Sequence, residues 1–222
     1  FPSASNASVE EKILDYQTHQ ARLLPILAKT FAIIFAGQRL TDEHEQLMAR
    51  LELKDTTGLK AIHATSSGLK AFCTWWCLES IETCRQCCGG LGYSSYSGLP
   101  SMLQDYAVHC TWEGDNTVMA LQNARVLIHA FKHPEEATGF MAYLTELDGA
   151  PPPVSNMTDV RSRGVQLFLH RLAAVIGVRK VSYRLDELVM GGMAPDQAWQ
   201  HCTEELVEVA RRHIDFYLWT CF

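Results

Sequence analysis

Between Thr57 and Cys88 the chain places Leu59, Ile62, Leu69, Phe72, Trp75, Trp76 and Ile81 mainly at helical steps, then stops at Gly89-Gly90. Apolar residues at that period line one face of a helix, and a glycine pair ends it. A helix of this length with one apolar face has to be covered by other elements. The same period recurs from Val9 through Ile13, Tyr16, Leu23, Leu24, Leu27, Phe31, Ile34 and Phe35, with Ser8 as the cap and Glu11 three residues on. Pro25 lies inside this pattern and predicts a kink or break near Ala21. The polar stretch from Thr41 to Thr57 reads as a connection. Further helices are expected around Met102 to Val108, over Thr117 to Phe131 behind a cap at Asp115 or Asn116, over Val160 to Met190, and from Asp196 onward. No segment alternates with period two between turns, so no sheet is expected and the fold class is all-α.

The domain plan that follows is a helical bundle over residues 1–132, a linker over 133–156 containing Pro134 and Pro151-Pro-Pro153, and part of a second helical domain over 157–222. The chain opens on Phe1 and closes within an apolar helical pattern at Trp219 to Phe222, and we expect it to be part of a longer protein.

A net charge of −6 excludes the basic surface that nucleic acid requires. The longest uninterrupted apolar run, Phe31 to Ala36, falls well short of the ~20 residues of a membrane span, so none is expected. Eight cysteines include Cys73-x3-Cys77 and Cys84-x2-Cys87, but no second ligand pair follows at the spacing of a zinc module. We expect no metal site, and reduced, mostly buried thiols.

Two short stretches carry candidate chemistry. Glu113 stands just ahead of a helix, beside Trp112 and Gly114. One reading makes it an acidic residue that favours the helix dipole. The other makes it a general base whose pKa is raised by desolvation, with Gly114 admitting a close approach. Likewise Gly89-Gly90-Leu91-Gly92 either ends a helix or admits a pyrophosphate, with Arg85 or Gln86 as donors.

Taken in order, these stretches resemble the peroxisomal acyl-CoA oxidase family. The residues that carry the resemblance are Gln17, Gly58-Leu-Lys60 or Gly68-Leu-Lys70, Trp76, Cys84-Arg85, Cys88-Gly-Gly-x-Gly-Tyr93-Ser94, Ser97-Gly-Leu-Pro100, Cys110-Thr-x-Glu113-Gly-x-Asn-Thr-Val118 and Leu121-Gln-x-Ala-Arg125. The match is dense from Ile13 to Phe131 and thinner from Ala198-Trp199 to Phe222. Leu91 departs from the His that many members carry between the glycines.

The resemblance implies a bundle of the acyl-CoA dehydrogenase C-terminal type and an FAD-dependent acyl-CoA oxidase. Such an enzyme desaturates fatty acyl-CoA to trans-2-enoyl-CoA and reduces O2 to H2O2 in peroxisomal β-oxidation. It implies Glu113 as the base that takes the α-proton. It further implies Gly89, Gly90 and Gly92 at the FAD of a neighbouring subunit with Arg85 or Gln86 nearby, Asn116 and Thr117 facing the cofactor, and Gln17 at its nucleotide portion. The implied partners are fatty acyl-CoA, O2 and a second subunit in a homodimer, with no nucleic acid. Two alternatives stand beside it: an acyl-CoA dehydrogenase that passes electrons to an electron-transfer flavoprotein, and a non-catalytic partner of a full-length oxidase.

Overall fold

The computed structural model describes residues 10–145, 152 and 154–222. Among them the chain forms helices α1 (Gln17–Glu52), α2 (Leu59–Cys87), α3 (Leu99–Ala107), α4 (Asn116–Lys132), α5 (Met157–Val160), α6 (Arg163–Met190), α7 (Pro195–His201) and α8 (Thr203–Cys221), joined by short 3-10 turns and without a strand.

Packing begins with small side chains. On α2 the buried positions are Ala61, Ala64, Thr65, Ser67, Gly68, Leu69, Ala71 and Ser80; those facing them on α4 include Ala120, Asn123 and Ala124. Small residues let two helix backbones approach closely. At Gly68 a Cβ would fall 2.6 Å from Ile214 Cδ1 and 2.9 Å from Asn123 Nδ2. Asn123 then bonds across the interface, its Nδ2 donating to the Ala64 carbonyl at 2.7 Å. Helix α8 closes the bundle against α1, α4 and α6, and one hydrophobic cluster takes side chains from α2, α4, α6, α7 and α8. A second joins Ala36 to Leu69, Ile214, Tyr217 and Leu218.

Several expected boundaries shift. Helix α1 starts at Gln17, not Val9: a 3-10 turn at Ile13–Asp15 and the extended Tyr16 precede it, which puts Glu11 outside the helix. Ser8 lies outside the described residues. Helix α1 also runs through Pro25, whose position and that of Ala21 are exposed, so water can serve the carbonyl that loses its donor. The stretch from Thr41 to Glu52 continues the helix, stitched by Arg39 to Glu43 at 2.8 Å and anchored by buried Leu47. By length and composition α1 is apolar enough to cross a membrane, which a count of unbroken apolar runs does not register; here it lies along α2 and α8.

The stretch after His133 also enters the core. Its 3-10 turn Gly139–Leu144 buries Met141, Tyr143 and Leu144, while Pro151 and Pro153 lie outside the described residues. The final expected helix is two, broken at buried Cys202.

His213 on α8 is fully buried, with Nδ1 2.9 Å from the Tyr143 hydroxyl. Desolvation pushes its pKa down from 6.5 to about 3. The folded state therefore holds it neutral while the unfolded chain takes up a proton below about 6.5. Its contribution is complete above that pH and is lost as pH falls towards 3. We expect His213→Asn to flatten the decline of urea-unfolding stability between these limits, by up to ~1.4 kcal/mol per pH unit.

Candidate functional site

Glu113 sits in a left-handed turn between α3 and α4. Its φ is 54° and that of Gly114 is 108°. For a residue with a Cβ this conformation costs about 1–2 kcal/mol and persists where its surroundings enforce it. Those surroundings are specific. Asp115 caps α4, its carboxylate accepting from the Thr117 N–H at 2.8 Å. A Cβ on Gly114 would meet Met119 Sδ at 2.7 Å. From α2, Lys70 Nζ donates to the Gly114 carbonyl at 2.6 Å and to Asn116 Oδ1 at 2.8 Å. Asn116 is fully buried, and its Nδ2 donates back to the Ala71 carbonyl at 3.1 Å and to Thr74 Oγ1 at 2.9 Å. Its amide therefore points into α2, not outward to a ligand.

The Glu113 carboxylate is exposed. Among the described residues no ion pair involves it, and the apolar enclosure expected around it is not supplied by Trp112. That indole is itself half exposed, donating from Nε1 to His109 Nδ1 at 3.1 Å. The Tyr106 ring lies tilted against His109, 4.7 Å between centroids, and burial with a hydrogen bond to Cys77 pushes its hydroxyl pKa up. Thr117 is exposed one helical position beyond Asn116.

The Gly-rich turn forms a second station. Gly89 has φ 58°, and a Cβ at Gly89 or Gly90 would meet nothing within 4 Å. Gly92 differs: it is buried, and a Cβ there would lie 2.0 Å from the Arg85 carbonyl oxygen. The Arg85 guanidinium forks onto Glu82 with two bonds of 2.6 Å, and Gln86 Nε2 donates to the same carboxylate at 2.9 Å. Those bonds hold the Glu82 carboxyl down at about 2. The start of α1 docks here, with His19 Nε2 3.2 Å from the Cys87 carbonyl and Arg22 donating to Gln86 Oε1 at 3.3 Å. Exposed Gln17, two residues before His19, belongs to the same end.

The structure thus gathers Gln17, Arg85, Gln86, Gly89 and Gly90 at one place and Glu113, Asn116 and Thr117 at another. Lys70 and Cys87, which mark the two stations on α2, are seventeen residues apart, about 25 Å of helix. Lys70, Thr74, His19 and Glu82 were not singled out as site residues from the sequence. The four-residue step from Lys70 to Thr74 is a signal, since it puts both on one helix face. The eight cysteines are free; Cys110 and Cys202 are buried, Cys88 is exposed and the others are intermediate, so the thiols are less buried than expected. Among the described residues no group of His, Cys, Asp and Glu is arranged to hold a metal.

An all-helical bundle that presents an unpaired carboxylate on a strained turn and an open glycine turn at its end matches a known domain type. Residues 1–128 match the family model described as acyl-CoA oxidase, C-alpha1 domain. The chain is 34% identical to acyl-coenzyme A oxidase 3 of Yarrowia lipolytica, over 96% of this chain and 32% of that protein. It is 32% identical to human peroxisomal acyl-coenzyme A oxidase 1, over 93% and 33%. Its fold overlays acyl-CoA oxidase-2 of Caenorhabditis elegans, solved with FAD, ascaroside-CoA and ATP, with TM-score 0.87 and 28% identity over 96% of this chain and 32% of that one. This chain belongs to the acyl-CoA oxidase family, a family of oxidoreductases. It spans about one third of the length of these relatives.

The two kinds of glycine in the turn separate in stability. Gly92→Ala is expected to destabilise by about 3 kcal/mol, because a backbone carbonyl cannot swing aside as a side chain does. Gly90→Ala is expected to stay within about 0.5 kcal/mol of the parent. Thermal unfolding of the two variants checks this.

Proposed function

We propose that this chain is the helical C-terminal portion of an FAD-dependent acyl-CoA oxidase. The whole protein would convert fatty acyl-CoA and O2 into trans-2-enoyl-CoA and H2O2, in peroxisomal fatty-acid β-oxidation, as a homodimer. Residues 1–132 would carry the base and 157–222 would belong to the family's following helical domain, with 133–156 between them; in this chain α6, α7, α8 and the turn Gly139–Leu144 pack into the same core as α2 and α4. The observation that carries the proposal is Glu113: an unpaired carboxylate on an enforced left-handed turn, within the part of the chain that the oxidase family model matches.

In this reading Glu113 takes the α-proton of the thioester. That proton is weakly acidic, so the carboxylate has to be aimed at it and shielded from water when substrate binds. Tyr106, His109 and Trp112 form an aromatic cluster in the segment just before Glu113. The enclosure is assigned to the acyl-CoA and to parts of the protein beyond this chain. FAD, when bound, would supply the acceptor for the β-hydride and the route by which its electron pair reaches O2.

The residues at the end of α2 fit a phosphate-bearing cofactor. Gly89 and Gly90 leave backbone open to close approach and Gln17 is exposed, while the guanidinium of Arg85 and the amide of Gln86, which donate to Glu82 here, would turn in part to the ligand. Thr117 is available to the cofactor near the base. Gly92 shapes the turn from within, and Asn116 acts through the turn it anchors. The 25 Å between the stations, by helix rise, is in keeping with the two halves of an extended dinucleotide, or with two cofactors in a dimer.

Glu113→Gln in the full-length protein is expected to abolish desaturation with the flavin still bound. Asp115→Asn, which keeps a good helix cap, is expected to retain the rate. Anaerobic addition of a long-chain acyl-CoA should bleach the flavin of the parent and not that of Glu113→Gln. Recovery of the band with peroxide on admitting air supports the oxidase. Recovery only with electron-transfer flavoprotein would make the protein a dehydrogenase, and absence of flavin would leave a non-catalytic partner.

A further inference from the structure

Lys70 is half-buried on α2, 44 and 46 residues from the two groups it grips. Among the described residues no ion pair joins it to a carboxylate, Glu113 included. An ammonium in that setting, bonded to one carbonyl and one amide oxygen, has its charge directed wholly at the turn. The carbonyl is that of Gly114, the residue after Glu113, and the amide is that of Asn116, whose other bonds run to Ala71 and Thr74 on the same helix as Lys70. Removing the ammonium would leave the Gly114 carbonyl and Asn116 Oδ1 without their donor and free the φ of Glu113 to leave the left-handed region.

We propose that Lys70 is a positioning residue for Glu113, setting the direction of its carboxylate by clamping the turn from α2 without neutralising it. A lysine paired with Glu113 itself would hold it as the anion and blunt it as a base. A lysine bonded one residue further on aims the carboxylate and leaves its oxygens unpaired for the proton of the substrate. Proton abstraction depends steeply on such aim, since a misplacement of about 1 Å costs on the order of 100-fold in rate. The role presupposes that Glu113 is the base.

The test uses the full-length, FAD-loaded protein. In Lys70→Met, kcat for acyl-CoA is expected to fall by about 10- to 100-fold while KM moves less than about threefold and flavin remains bound, the pattern of an interaction made in the transition state. The deuterium isotope effect with α-deuterated acyl-CoA should rise, because proton abstraction becomes the slow step. Lys70→Gln, which reaches fewer acceptors, should lie between the parent and Lys70→Met. A parental kcat in Lys70→Met overturns the proposal, as does a loss that appears only in KM or in flavin content. If Lys70→Met does not fold, Lys70→Gln decides in the same way: a parental kcat overturns the role, and a reduced kcat with unchanged KM and an increased isotope effect sustains it. Glu113→Gln is measured alongside. If it keeps its rate, the base assignment fails and the positioning role with it; if it is inactive while Lys70→Met runs at the parental rate, only the positioning role fails.

Discussion

The close approach of α2 and α4 is the contact on which the other features depend. It exists because the facing positions are Ala61, Ala64, Gly68 and Ala71 on one helix and Ala120, Asn123 and Ala124 on the other. With larger side chains the backbones would separate, and the bond from Asn123 to the Ala64 carbonyl would no longer span the gap. Further along the same interface, nearer the start of α4, Lys70 reaches the Gly114 carbonyl and Asn116 reaches the Ala71 carbonyl. The geometry at Glu113 is thus inherited from a helix–helix distance, and that distance is set by residues with almost no side chain.

Burial of polar groups then fixes orientation. Asn116 and Asn123 are both fully buried, and each donates to a main-chain carbonyl of α2. Removing one partner of such a bond leaves the other unsatisfied, at about 1–3 kcal/mol, so these amides select one register of α4 against α2. His213 and Tyr143 do the equivalent work at α8, where the stretch after His133 folds inward instead of spanning solvent.

Much of the helical order was legible because apolar period and stop signals are local. Leu59 to Cys87, Leu99 to Ala107 and Asn116 to Lys132 lie close to where spacing, Gly89-Gly90 and Asp115 put them. What the pattern misread was which face is buried. Leu24, Leu27, Phe31 and Ile34 define the period of α1 yet remain about half exposed in this chain, whereas its buried positions are Ala32, Ala36 and Leu47. Large side chains mark a helix strongly, but small ones permit the tight contact, and a hydrophobicity pattern weights the former. Polar Thr41 to Thr57 reads as a connection for the same reason, although Arg39–Glu43 and buried Leu47 hold its first part, to Glu52, helical.

The sequence by itself determined the all-helical class, the glycine stop of α2, a cap at Asp115 or Asn116 and the presence of a carboxylate next to a glycine, since each depends on residues within one or two turns of each other. Only the tertiary structure decided that Glu113 stands in a left-handed turn held by Lys70, that Asn116 faces inward, and that Gly92 packs against the Arg85 backbone while Gly89 and Gly90 stay open. Apart from the Gly92–Arg85 contact, which depends on how the chain folds back after α2, these depend on groups dozens of residues apart meeting across the α2–α4 contact, and no local spacing encodes that distance.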